Sequence, residues 1–420
     1  MKLKNIFNYH GLLALFLYLT LIFGFYIDEN LNFGAKPDWK FTDLPVINDL
    51  SLDIKRTLLE YENYGHRHSP VYLIFLSLFK RIGFSLDSIR FLHLNLSLFL
   101  IFFFYKSLVL KFSKIEKNIL LLLSLTIFLS PTFRSLAIWP SSRLIGLIFF
   151  TISIYEFLKF LKTHKKINMW KNIIFLIISS YISPNFSLFI IFYLYYYFRK
   201  IEFKNLLGLL LFCLISALPA FYYIFFLEVN FLIAGTPSRD INSSISLSFN
   251  FSDKILIISS ILFFHLLPFL LNKEFILDVI NPTKKILISI ILFFILNLFF
   301  FNYQINFTGG GIFFQLSNFI FSNNYLFYFI SFISLMLLIN FSKNNIDNFL
   351  VFFLLIISNI QNTIYHKYYD PLVMILFFTL ISHPLNNKFF EGRNKIYHVY
   401  IFYLIFIFMR IIKNNYHPNF

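Results

Sequence analysis

Cysteine and charge are what this chain has least of. One of its 420 residues is cysteine, Cys213, and it lies inside an apolar run. An intrachain disulfide and a cysteine metal site are thereby excluded, and the redox compartment is not readable from it. Charged residues make up 13% of the chain, against roughly 25% in an ordinary soluble domain. A soluble globular protein is excluded, and a hydrophobic content of 58% excludes a disordered one. Acidic residues are scarcer than basic ones, 20 against 36, for a formal charge of +16. In a soluble chain that balance would point to nucleic acid; here it asks which side of a membrane the Lys and Arg occupy, and no nucleic-acid partner is expected. Repeats of solenoid length and inverted repeats between the halves are not visible.

What is there in quantity is Phe, 63 residues of it, within long apolar runs separated by short polar punctuation. At about 20 residues per crossing, the runs predict an all-α polytopic membrane protein with spans at 11–27, 88–110, 118–133, 140–161, 171–183, 185–198, 205–226, 254–271, 285–301, 325–341, 348–360, 370–383 and 396–412, about thirteen in all. Lys2 and Lys4 precede the first run and no small-residue cleavage site follows it, so the amino terminus is expected inside on an uncleaved span. This threading puts more than half of the 36 basic residues inside, including Lys106, Lys111, Lys114 and Lys117, although the outside loops are longer. Val71 to Phe79 is too short to cross and is expected at the outer interface. Ser183-Pro184-Asn185 should break 171–198 into two helices. Residues 1–200 read as a catalytic module with an outer loop at 28–87. Residues 201–420 read as a second module with outer loops near 227–253, 302–324 and 359–369.

The spans carry almost no charge, which argues against a proton-coupled transporter. The first outer loop, in contrast, holds Asp28, Glu29, Asp38, Asp43, Asp49, Asp53, Glu60 and Glu62, eight of the 20 acidic residues. Within it Ile47, Leu50, Ile54, Leu58 and Tyr61 share one face of an expected interfacial helix. Ser69 and Pro70 read as the cap and first turn of the next helix. His66, Arg67 and His68 before it are either a solvated turn or donors on the acceptor side of a site, aimed at an anionic headgroup. Asp28 and Glu29 stand where the first span leaves the bilayer, either as polar residues ending a helix or as carboxylates fixed at headgroup depth to take a proton.

The order of these features resembles the GT-C superfamily of integral-membrane glycosyltransferases, in particular the branch of protein O-mannosyltransferases and bacterial enzymes that glycosylate lipid A. Asp28-Glu29 matches the acidic motif of that branch's first outer loop. His68-Ser69-Pro70-Val71-Tyr72 looks like its H/K-P-P-L-Y segment, with Ser69 in place of the first proline. Leu129-Ser130-Pro131 followed by Arg134 is similar to its outer turn after the third span. Trp139-Pro140-Ser141-Ser142-Arg143 lacks the further acidic residue the family often has there. Tyr365-His366-Lys367-Tyr368-Tyr369-Asp370-Pro371 resembles an element near the donor phosphate, while His366 and Lys367 also suit interfacial snorkelling.

The resemblance implies a glycosyltransferase of the cell envelope in a bacterial inner membrane, with its site facing the periplasm. It would take a sugar from a polyprenyl-phosphate donor to a glycan, lipid or protein acceptor. Asp28 and Glu29 would be catalytic, and His366, Lys367, Arg134 and Arg143 would bind donor phosphate. No protein metal ligands are expected, and a divalent cation is not required by the sequence. No Rossmann-like domain is present to hold a nucleotide sugar. A polysaccharide polymerase or ligase of the outer face and a lipid-linked oligosaccharide flippase are the alternatives.

Overall fold

The computed structural model describes residues 9–32, 34–65, 68–229, 250–270, 276, 279, 282–304, 309–343, 345–359, 361, 363–392 and 394–416. Their regular structure is helical throughout, and they divide into two compact units, Met1–Ser238 with Tyr403–Asn414 and Arg239–Phe402 with Asn415–Phe420. By length and composition, seven helices among the described residues are apolar enough to cross a membrane, or nine if two sharply bent pairs each count as one crossing. Large apolar side chains point away from the protein on several of them: Phe16, Leu19 and Phe23 on one, Leu214, Ile215 and Leu218 on another, Ile405 and Phe408 on a third. Contiguous apolar surface of this kind is stable in lipid and not in water, and the chain is a polytopic membrane protein.

The first unit begins with α1 (Tyr9–Tyr26). Helical turns then run from Ala35 through a wide π stretch, Asp38–Asp43, into α2 (Leu44–Leu52). The single amphipathic helix expected around residues 47–61 is two helices, because Asp53 leaves helical geometry at φ −143° and its side chain caps α3 (Ile54–Leu59) by accepting the Arg56 N–H at 3.0 Å. An Asp that hydrogen-bonds the backbone ahead of it offers the chain this alternative to continuing. Ile47, Leu50 and Tyr61 are fully buried as their spacing predicts, but Thr57, not Ile54, is the buried residue of α3. Ser69 caps α4 (Pro70–Arg81), accepting the Val71 N–H, with Pro70 opening the first turn. Twelve residues rise about 18 Å, well short of a hydrocarbon core of about 30 Å, so α4 is not a full span.

The long helices α5 (Leu86–Lys111) and α8 (Ser142–Thr163) pack together, with α6 (Lys117–Leu125) and α7 (Pro131–Ile138) between them in the chain. The stretch expected to run straight through 118–133 bends by 66° at Ser130-Pro131. Proline disfavours a helical residue before it, and the Ser130 Oγ accepts the Phe133 N–H at 3.0 Å to start α7. α9 (Lys166–Ile182) lies along α8, and it ends at Ser183-Pro184 before α10 (Ile190–Phe198), the break expected there. α11 (Phe203–Phe221) closes the unit's main run.

The second unit centres on α12 (Phe251–Leu266), which touches α13 (Lys284–Phe299), α14 (Gly311–Phe321), α15 (Tyr325–Ser342) and α16 (Ile346–Ile357). α17 (Leu372–Thr379) and α18 (Pro384–Phe390) form the second bent pair, at 96°. The last helix is α19 (Asn394–Tyr416). Of the thirteen expected spans, those at 171–183, 185–198, 285–301 and 348–360 form helices of 17, 9, 16 and 12 residues, too short for the length criterion the longer ones meet.

Candidate active site at the end of the first span

The end of α1 shapes the site. The Glu29 N–H bonds the Gly24 carbonyl at 2.8 Å and Asp28 takes a left-handed conformation, φ 56°. Such a turn closes a helix with one left-handed residue, a place glycine fills most easily. Asp tolerates it better than most residues but still stands in a sparsely populated region. The consequence is that two neighbouring carboxylates, read from the sequence as a pair, face different surroundings: the Asp28 side chain is 42% exposed and that of Glu29 14%.

Glu29 is the more buried of the two and is held in an ion pair. Arg134 on α7 donates from Nε and Nη2 to its two oxygens, both at 2.6 Å, and spends its other N–H groups on Thr20 O at 2.9 Å, Thr20 Oγ1 at 3.1 Å and Phe128 O at 3.5 Å. The fork geometry of a guanidinium suits a carboxylate in two-point contact. Trp139 Nε1 donates to the Glu29 carbonyl at 2.9 Å, and Ser135 Oγ accepts the Asn32 N–H at 2.8 Å, so α7 grips the turn along its length.

Asp28 is held by cations and remains reachable. Arg90 on α5 donates from Nη2 to its Oδ1 at 2.9 Å and from Nη1 to Asp87 at 3.0 Å; Lys36 donates to its Oδ2 at 2.9 Å. The Arg90 guanidinium is buried against aromatic faces, 3.9 Å from the Trp139 ring centre and 4.8 Å from that of Phe25, while Lys36 lies 5.2 Å from Trp139. Partial burial pushes the Asp28 pKa up, but the hydrogen bonds and charges of Lys36 and Arg90 outweigh it and hold the carboxyl below its ordinary value. Asp28 is therefore ionised at neutral pH.

Beneath these groups, Tyr72 OH meets His93 Nδ1, and His93 Nε2 meets the Leu136 carbonyl at 2.7 Å, tying α4, α5 and α7 together through a fully buried ring. The last helix reaches the same turn. Asn414 donates to the carbonyls of Asn30 and Leu31 at 3.2 Å, and Arg410 Nη2 lies 3.4 Å from Asn32 Oδ1. The far ends of α1 and α19 therefore share a face.

The other residues singled out by the sequence are dispersed. Arg143 stands in the first turn of α8, half-buried. His68 accepts a bond from Tyr61 OH on its carbonyl at 2.7 Å; His66 and Arg67 lie outside the described residues. His366 and Lys367 belong to the second unit, in a single turn, His366–Tyr368, before α17. There the His366 ring is buried 4.5 Å from that of His265 and 5.2 Å from that of Phe264, and Lys367 lies 5.2 Å from the Tyr365 ring. Sequence reasoning missed Lys36, whose only signal is its nearness to the acidic pair, and Arg410 and Asn414, nearly 400 residues away. Among the described residues, no group of three or more His, Cys, Asp or Glu is arranged to hold a metal ion. No family model, curated protein or solved structure matches this chain.

Proposed function

We propose that the protein is a membrane glycosyltransferase that moves a sugar from a polyprenyl-phosphate donor to an acceptor at the outer face of a bacterial inner membrane. The observation that carries the reading is Asp28: an exposed carboxylate in a left-handed turn at the end of a span, ionised and oriented by Arg90 and Lys36. Each of its oxygens already accepts one bond from a cation and keeps lone-pair capacity for an acceptor hydroxyl.

In the reaction Asp28 takes the hydroxyl proton as the acceptor oxygen attacks the anomeric carbon. The bond from that carbon to the donor phosphate breaks on the opposite face, and its electron pair leaves with the phosphate oxygen, inverting the configuration. The charge that develops on the phosphate requires cations close by. Lys36 and Arg90 stand beside the base, and Arg143, His366 and Lys367 carry the same role in the sequence reading. Arg134 and Glu29 hold the turn rather than the substrate, since every Arg134 N–H already has an acceptor. The count of thirteen crossings is part of the proposal, with the shorter helices completing it. An odd count suits the shared face of the α1 and α19 far ends, and positive-inside bias puts that face outside.

The test is to incubate the purified protein in nanodiscs with a panel of polyprenyl-phosphate sugars and lipid, glycan and peptide acceptors. Release of polyprenyl phosphate together with an inverted glycosidic product is the expected result. Consumption of none of the donors across the panel would overturn the reading.

A further inference from the structure

We propose that a cavity in the first unit, at a place apart from the Asp28 turn, holds one acyl chain of a bilayer phospholipid. The proposal goes beyond the transferase reading and does not depend on it.

The cavity has a volume of about 660 Å³ and lies among α3, α4, α9, α10 and α11, all within the first unit. Its wall is apolar because the hydroxyl groups along it are turned to the backbone. Ser180 Oγ donates to the Leu176 carbonyl at 2.7 Å, Tyr181 OH to that of Ser216 at 2.5 Å and Tyr223 OH to that of Leu58 at 2.7 Å. The two tyrosines thereby bridge α9 to α11 and the turn after α11 to α3. Pro219 in α11 has no N–H for the preceding turn, and the helix widens soon after it into a π stretch, Tyr222–Phe226, that carries Tyr223 to the cavity.

The mouth faces lipid. Only Leu206 and Leu209 of α11 are buried, while Leu214 at the rim is 65% exposed. With its π continuation, α11 is one of the helices long and apolar enough to cross a membrane. An apolar cavity stays dry and takes apolar ligands, and an empty one forfeits contacts of the side chains around it. Between helices in a bilayer, where no hydrophobic drive pulls them together, a lipid chain is the filling at hand.

Dimensions narrow the occupant. The lining on α11 runs from Leu210 to Ile224, about 21 Å at 1.5 Å per residue. A volume of about 660 Å³ along that length is a passage roughly 6 Å across, against about 10–12 Å for a helix. One hydrocarbon chain fits and another helix does not. Val71 and Ile74 of α4 line the cavity, whereas Tyr72 meets His93 on α5. Thus α4 turns one side to the cavity and another to the contacts beneath the Asp28 turn, and the chain comes from the surrounding bilayer, where phospholipid is the bulk source.

The test is native mass spectrometry of the full-length protein after detergent is supplemented with palmitoyl-oleoyl phosphatidylethanolamine. The wild type should retain one phospholipid. Ala217→Trp and Ala220→Trp each put a ring into the cavity and should lower retention by about 10-fold. Leu218→Trp, on the same helix but 59% exposed and outside the lining, should retain lipid as the wild type does. Cys213, the chain's one cysteine, lines the cavity and gives a second readout. Its alkylation by N-ethylmaleimide should be slowed by the phospholipid and not by glycerophosphoethanolamine, which has the headgroup without the chains. Equal retention in both cavity variants and Leu218→Trp overturns the proposal, as does alkylation at one rate with and without phospholipid. Retention of undecaprenyl phosphate in preference to phospholipid at equal concentration also overturns it, and gives the cavity to a prenyl chain. If the cavity variants fail to fold, the alkylation rate of the wild type carries the test.

Discussion

Asp28 is a residue where local conformation and chemistry pull in different directions. Glycine would fit φ 56° with less strain, and Asp28→Gly and Asp28→Asn, both tolerant of the left-handed region, should fold with a smaller loss of stability than Glu29→Ala, because Arg90 keeps Asp87, and should lose transfer. That expectation is checked by thermal unfolding in detergent alongside a turnover assay; a base contributes typically 10²–10⁴-fold. Glu29→Ala should do the reverse, leaving Arg134 charged, buried and without its carboxylate partner. Breaking a buried pair in this way costs roughly 3–5 kcal/mol, and a melting temperature unchanged by the substitution would contradict the anchoring role. The pH dependence follows from the same contacts. A carboxyl held below its ordinary value of 3.8 lends stability that is present above its unfolded pKa and is lost as pH falls through the folded one, so acidification to about pH 5 should neither loosen the turn nor protonate the base. Lys36→Met removes one of the two lowering partners and should move the acid limb of the pH–rate profile upward.

At the scale of elements, packing against the turn is tight enough to be tested by single methyl groups. A Cβ placed at Gly24 would lie 2.6 Å from Glu29 Oε2 and 3.1 Å from Arg134 Nη2, so Gly24→Ala should disturb the anchor from within α1 and lower the unfolding temperature toward that of Glu29→Ala. A double variant no less stable than Glu29→Ala alone would show that the two act through one contact. The cap at Asp53 is a separate case, and Asp53→Ala should cost about 1 kcal/mol without touching transfer. Much at this scale was legible in the sequence: the Ser69-Pro70 start, the Ser183-Pro184 break and the short α4 follow from side chains that act on their own backbone. The turn at Leu129-Ser130-Pro131 was legible from its resemblance to an outer turn, although the span expected at 118–133 ran past it; the split at Asp53 was not, although the same chemistry causes it. Apolar periodicity dominated the reading of Ile47 to Tyr61 and hid a cap lying within it. In the site, the acidic pair was visible as charge at a membrane boundary. The different surroundings of Asp28 and Glu29 were not, because they depend on Arg134, Thr20 and Trp139 arriving from elsewhere in the chain.

For the whole molecule, the proposed thirteen crossings, an odd number, suit the contact of Asn414 with Asn30 and Leu31, which brings the end of α19 to the end of α1. A cysteine at exposed Lys55 and one at exposed Asn415, each in a Cys213→Ser background, should react with an impermeant reagent from the same side, and one at Lys114 only after permeabilisation. Labelling of Lys55 and Asn415 from opposite sides would refute the threading. Length alone could not supply this result, since α9, α10, α13 and α16 are shorter than a span and a count from the sequence rests on how such helices are treated. The account as a whole turns on Asp28 as the base of an outer-face transfer. The direct measurement is single-turnover transfer from a polyprenyl-phosphate sugar by the wild type and by Asp28→Asn, with the donor bound to saturation in both. The account predicts equal donor occupancy and a rate at least about 100-fold lower in the variant; transfer by Asp28→Asn at the wild-type rate would contradict it.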